Sequence, residues 1–140
     1  MPSLKRSVEY NNFLYSLREQ YSAIKDSRIS FFAVVKDIYL ASGVIDFTSN
    51  IRLVFKESLD FSVHKILKYV YEVYQGIQLI CYYDSQPHQP HPDDPDLAST
   101  FPHHKHVPPD IKHNRQPAPH LSFDRPNLPA LIREIIDQFL

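Results

Sequence analysis

Four basic side chains stand in a row at His103, His104, Lys105 and His106, with Asp84, His88 and His91 upstream of them. Cleaving RNA requires a base to take the proton of a 2′-hydroxyl, an acid to protonate the departing 5′-oxygen, and a cation facing the charged phosphate. Two imidazoles and an ammonium meet that list without a metal, and imidazole exchanges protons near neutral pH. The residues therefore suggest acid and base roles for a pair among His88, His103, His104 and His106, phosphate stabilisation by Lys105, and orientation of an imidazole by Asp84. Tyr82, Tyr83 and Phe101 offer ring faces on which an unpaired base could stack.

Other chemistries fit the same residues. His88-x-x-His91, His103-x-x-His106 and Asp84 are ligand types that suit zinc, manganese or iron, although their spacing matches no defined metal signature. A metal-dependent nuclease, or a non-catalytic module holding a metal or a protein partner, stands beside the metal-free reading. Consecutive histidines in Pro-rich sequence can also be merely solvated. Asp93, Asp94 and Asp96 read as a solvated acidic turn, His64 as a surface or core residue, and His113 and His120 carry no assigned role.

The elements that must position this set are legible in the hydrophobic pattern. Tyr10, Phe13, Leu14, Leu17, Tyr21 and Ile24 recur at threes and fours, predicting an amphipathic helix that ends near Asp26-Ser27. Residues 29–40 read as one largely buried strand, broken by Ala41-Ser42-Gly43. Residues 44–48 and 51–59 read as strands separated by Ser49-Asn50, and residues 68–74 and 77–83 as a hairpin around Gln75-Gly76. The tyrosines of residues 69–74 are expected to line a sheet face, and Asp84 to end the last strand.

Composition then shifts, because eleven of the twelve prolines and seven of the eight histidines lie between Pro87 and Pro129. The predicted form of residues 84–126 is a long His/Pro-rich loop carrying the chemistry, with a short strand at 121–124. In such a loop, replacing His104 or Lys105 by Ala should abolish activity and change stability by less than about 0.5 kcal/mol. Asn127 is the candidate cap of a closing helix in which Leu128, Leu131, Ile132, Ile135 and Phe139 share a face. The expected fold is α+β: an N-terminal helix, a central antiparallel sheet of about five strands, the loop and a C-terminal helix.

Whole-chain properties set outer bounds. A length of 140 residues with 43% hydrophobic content suits a single domain. A net charge of −1 excludes nucleic-acid binding by bulk positive charge and requires a local patch. The single cysteine, Cys81, falls in a predicted strand and suggests a packing role in a reducing compartment. No apolar run approaches the ~20 residues of a membrane helix, and the expected localisation is cytoplasmic.

The segments Tyr83-Asp84-Ser85-Gln86-Pro87-His88 and Thr100-Phe101-Pro102-His103-His104-Lys105-His106-Val107 resemble the TumE family of toxins from type II toxin–antitoxin systems, over residues 28–107. That resemblance implies a ribonuclease toxin held inactive by a DNA-binding antitoxin encoded beside it, alone or within a homo- or hetero-oligomer. The family usually places an arginine before the Tyr-Asp pair and an asparagine after it, where this chain has Tyr82 and Ser85. Tyrosine cannot replace a guanidinium at a phosphate, so either Lys105 and a histidine carry that duty or activity is weak.

Overall fold

The computed structural model describes residues 2–85, 103–111 and 114–140. Helices α1 (Ser7–Tyr15) and α2 (Leu17–Gln20) lead into strands β1 (Ile24–Val35), β2 (Ile38–Phe47), β3 (Ile51–Asp60), β4 (Lys65–Gln75) and β5 (Gln78–Asp84). Strands β6 (His104–His106) and β7 (Arg115–Pro117) follow, then helix α3 (Leu128–Phe139). The seven strands form one sheet in chain order, each antiparallel to its neighbour.

The expected meander of five strands is β1 to β5, and the correction is two more strands drawn from the His/Pro-rich stretch. Pairing explains them: the exposed edge of β5 has unmet backbone groups, and residues 104–106 extend along it. Residues 29–40 are a hairpin rather than one strand, turning at residues 36–37 with Asp37 at φ 64°. Aspartate tolerates that left-handed conformation better than most residues, so the turn needs neither glycine nor proline. Ser49 and Asn50, at φ 62° and 61°, make the next turn, and Gly76, at φ 58°, the expected one after β4.

Ala41-Ser42-Gly43 breaks nothing; it lies inside β2. Glycine is required at position 43 by close approach, since a Cβ there would meet the Arg28 carbonyl oxygen at 2.6 Å and the Phe55 ring at 2.9 Å. The first helix stops at Tyr15 rather than near Asp26, and the Ser16 hydroxyl donates to the Phe13 carbonyl at 3.1 Å. Serine offers the backbone this alternative to continued helix. Residues 121–124 form no strand, although Phe123 accepts one backbone bond from Ile66 at 2.7 Å. Asn127 precedes α3 but does not cap it with its side chain. Its amide instead donates to the Tyr71 hydroxyl at 3.2 Å and to the Ser122 carbonyl at 2.9 Å.

Alternation divides the sheet into two unlike faces. Ile51, Leu53, Phe55, Glu57 and Leu59 of β3 are buried, as are Tyr69, Tyr71 and Val73 of β4 and Cys81 and Tyr83 of β5. These residues, with Tyr10, Phe13 and Leu14 of α1 and Leu128, Leu131, Ile132 and Ile135 of α3, make one core cluster. Burying apolar surface at about 25 cal/mol per Å² is what holds both helices to this face. Glu57 is the exception in composition. Its carboxylate accepts from Tyr10 at 2.5 Å and Tyr71 at 2.5 Å, joining α1, β3 and β4 through one buried polar network. The opposite face carries Lys56, Ser58, Lys68, Val70, Tyr82 and Asp84.

Candidate functional site

Strand pairing assembles the site. Asp84 pairs with Val70 on one side and His104 on the other, and Tyr82 with His106, which pairs in turn with Arg115. Directly paired residues share a face, and so do residues two apart along a strand. Asp84, Tyr82, His104, His106 and Arg115 therefore all lie on the face opposite α3. The backbone beyond Asp84 is pinned as well, because the Ser85 hydroxyl accepts from the Tyr69 N–H at 2.9 Å.

The side chains then converge. Nε2 of His104 contacts Asp84 Oδ1, and Nε2 of His106 lies 4.0 Å from the same oxygen. The two imidazole centroids are 4.8 Å apart. His104 is fully buried and His106 is 3% exposed, while the Asp84 side chain keeps 17% of its surface. The His106 ring is fixed on two sides. Its Nδ1 faces the Ile111 carbonyl at 2.9 Å, and Tyr82 stacks on it at 4.0 Å and 7°. Burial pushes the His106 imidazole below its ordinary range, more than Asp84 raises it.

His103 and Lys105 go elsewhere. His103 Nδ1 lies 2.6 Å from the Tyr69 hydroxyl, and its ring is 4.6 Å from that of Phe123. Burial lowers the His103 imidazole too, with a further push from His104. Lys105 projects to the α3 side, where its Nζ is 2.7 Å from Glu134 and 5.3 Å from the centre of the Tyr83 ring. Burial alone would raise the Glu134 carboxyl, but hydrogen bonds from Lys105 and Tyr83 outweigh it and hold it low. His120 also reaches Glu134, at 3.1 Å.

Of the sequence-derived site residues, the structure thus brings together Asp84, His104 and His106, with Tyr82 against them. His103 stands at the margin, and Lys105 and Tyr83 are on the other side of the sheet. His88, His91, Phe101, Asp93, Asp94, Asp96 and His113 lie outside the described residues. The expectation that His104 and Lys105 occupy a loop is corrected: both are in β6, and His104 is a core position whose replacement must also affect stability.

Two residues were missed by the sequence reading. Arg115 stands in register with His106 and Tyr82, and its guanidinium acts on the charge state of both. Glu134 anchors β6 to α3. Reading His104-Lys105-His106 as a strand would have grouped the two histidines and set Lys105 apart, because alternate residues share a face.

A trough of about 700 Å³ runs over the same open face, lined by Phe32, Leu40, Lys56, Lys68 and Val70 and reaching Ser85 beside Asp84. Among the described residues, no helix is long and apolar enough to cross a membrane.

The chain matches the family model described as Toxin TumE over residues 14–139. No curated protein and no solved structure matches it. The family match spans α2, α3 and every strand of the sheet, including the Asp84–His104–His106 cluster, and the chain belongs to the TumE toxin family.

Proposed function

We propose that this toxin is an endoribonuclease whose reactive centre is the Asp84–His104–His106 cluster, and that a cognate antitoxin holds it inactive. The observation that carries the reading is the convergence of two imidazoles on one carboxylate at the end of a rigid sheet. Rigid strands hold reacting groups more accurately than loops do. In the reaction the 2′-oxygen forms a bond to the adjacent phosphorus, its proton passes to a base, and the bond from phosphorus to the 5′-oxygen breaks as that oxygen gains a proton. The products carry a 2′,3′-cyclic phosphate and a 5′-hydroxyl.

The substrate reading draws on the trough. Lys56 and Lys68 offer charge to a phosphate chain along the face that ends beside Asp84, and Arg115 stands at its far side. These cations form a local patch of the kind that a chain of net charge −1 needs. An antitoxin that covers the trough would block substrate without touching the buried histidines. The proposed setting is the cytoplasm, where RNA and a partner encoded alongside would meet the toxin.

The test uses purified chain with a single-stranded RNA and a DNA of the same sequence. RNA cut to cyclic phosphate ends with DNA intact is the expected result, since DNA has no 2′-hydroxyl. Equal cutting of both, or of neither, removes this reading.

A further inference from the structure

We propose that Asp84, His104 and His106 form a binding site for one divalent transition-metal ion, with zinc as the first probe. The three ligand atoms already lie within 4.8 Å of one another. A four-coordinate zinc, with bonds of ~2.0–2.1 Å, sets its ligand atoms roughly 3.3 Å apart. Modest rotation of the His106 ring and opening of the Asp84–His104 contact would reach that spacing.

Hydrogen bonding at His106 gives the independent argument. The Ile111 carbonyl only accepts, so Nδ1 of His106 at 2.9 Å must carry the ring proton. In the neutral ring Nε2 is then a bare lone pair. It is buried, has no hydrogen-bond partner among the described residues, and points at a carboxylate oxygen 4.0 Å away. Two electron-rich atoms facing each other in a closed space are unfavourable unless a cation lies between them. Ligating histidines also characteristically donate their other ring N–H to a backbone carbonyl, which fixes the tautomer and the ring. His106 has that arrangement, with Tyr82 as a further brace.

The donor set narrows the ion. Two imidazoles and one carboxylate suit zinc, iron, manganese and their neighbours rather than calcium, which takes oxygen ligands only. Three protein ligands leave a position open, as in sites that meet a substrate, whereas structural zinc sites are closed by four. At the proposed ribonuclease centre such an ion would supply the positive charge facing the phosphate, while Lys105 remains bound to Glu134 on the other side of the sheet. That role for the ion rests on the ribonuclease reading. Binding itself does not.

The experiment strips purified full-length chain with chelator, then titrates it with Zn²⁺ and, separately, Mn²⁺ and Co²⁺. Calorimetry, metal content and melting temperature are read, together with RNA cleavage. One equivalent of Zn²⁺ per chain with a raised melting temperature is expected. Asp84→Asn and His106→Gln should each weaken binding at least tenfold, and His64→Ala should leave it unchanged. Because the histidine variant could unfold, the Co²⁺ absorption spectrum of the unmutated chain is a second reading, expected to show a low-symmetry site with nitrogen and oxygen donors. Failure of all three ions to bind overturns the proposal, and so does stoichiometric binding that survives both substitutions. Metal binding without RNA cleavage supports the site and removes the ribonuclease reading. Cleavage by a chain that binds no metal overturns the site and leaves that reading intact.

Discussion

Glu57 and Asp84 are two carboxylates on neighbouring parts of one sheet, and their surroundings differ in kind. Glu57 is 2% exposed and faces two hydroxyl donors at 2.5 Å, one from α1 and one from β4. The Tyr71 hydroxyl is itself held within the protein by Asn127, whose amide donates to it. Asp84 instead faces imidazole nitrogens, one of them a buried atom with no hydrogen-bond partner among the described residues. A fully satisfied buried network fixes a fold, whereas a bare imidazole nitrogen aimed at a carboxylate oxygen is costly until something joins them. The first carboxylate belongs to the architecture, and the second has the surroundings of a site.

Substitution at Asp84 gives the largest expected effect. Asp84→Asn keeps the shape but removes the charge that both imidazoles face, and RNA cleavage should fall by ~10²–10⁴, the usual cost of losing a group that assists proton transfer. Growth arrest on expression should disappear with it. Glu57→Gln should retain cleavage. If Asp84→Asn cuts RNA as fast as the parent, the distinction between the two carboxylates has no functional meaning.

Tyr71→Phe tests the other side. It deletes a donor to the Glu57 carboxylate and the acceptor of the Asn127 amide in one step. A hydrogen bond contributes about 0.5–1.5 kcal/mol with a neutral partner and about 1.5–3 kcal/mol with a charged one, so denaturant unfolding should show a loss of about 1–3 kcal/mol with cleavage retained. Lost activity at unchanged stability would place Glu57's network in the site instead.

These two regions were unequally legible in the sequence. The helix faces and hairpins around Ser49-Asn50 and Gln75-Gly76 announce themselves by apolar period and turn residues, which are local signals. Glu57 sits between Lys56 and Ser58 in a strand whose alternation marks position 57 as inward, yet nothing local says that Tyr10, 47 residues away, satisfies it. Proline density around residues 103–106 gives the local signal of a loop, and a three-residue edge strand depends on its partner β5 more than on its own composition. Asp84 and the histidines were found by residue type. Their grouping, and the exclusion of Lys105 from it, required the register.

Lys105 sharpens the same contrast at smaller scale. Lys105→Met keeps the aliphatic stem over Tyr83 but leaves Glu134 with Tyr83 and His120 as its remaining partners. The stability loss should be about 1.5–2 kcal/mol, at the low end of the range for a hydrogen bond to a charged group, and cleavage should fall less than tenfold. A collapse of cleavage with unchanged unfolding would mean that this ammonium reaches the phosphate after all.

The smallest expected effect is a pH dependence confined to Glu57. Burial raises its carboxyl above the ordinary range, and the hydrogen bonds from Tyr10 and Tyr71 only partly oppose it. A folded-state value above the unfolded one means that folding favours the protonated group. Its contribution is complete below the unfolded value of about 4.3 and is lost as pH rises through the higher folded value. The groups facing it from α1, β4 and the start of α3 are Tyr10, Tyr71 and, through Tyr71, Asn127. Burial raises both tyrosine hydroxyls further from titration, so across mildly acidic pH the carboxyl alone changes state in this network. Glu57→Gln is always neutral and cannot follow that curve. The stability of the parent minus that of the variant should therefore decline from about pH 4 upward and then level off. Unfolding midpoints for both proteins at matched pH measure the difference. A difference that grows with pH would show that the two tyrosine donors stabilise the carboxylate more than burial penalises it, and Glu57 would then be held as an anion at the centre of the core.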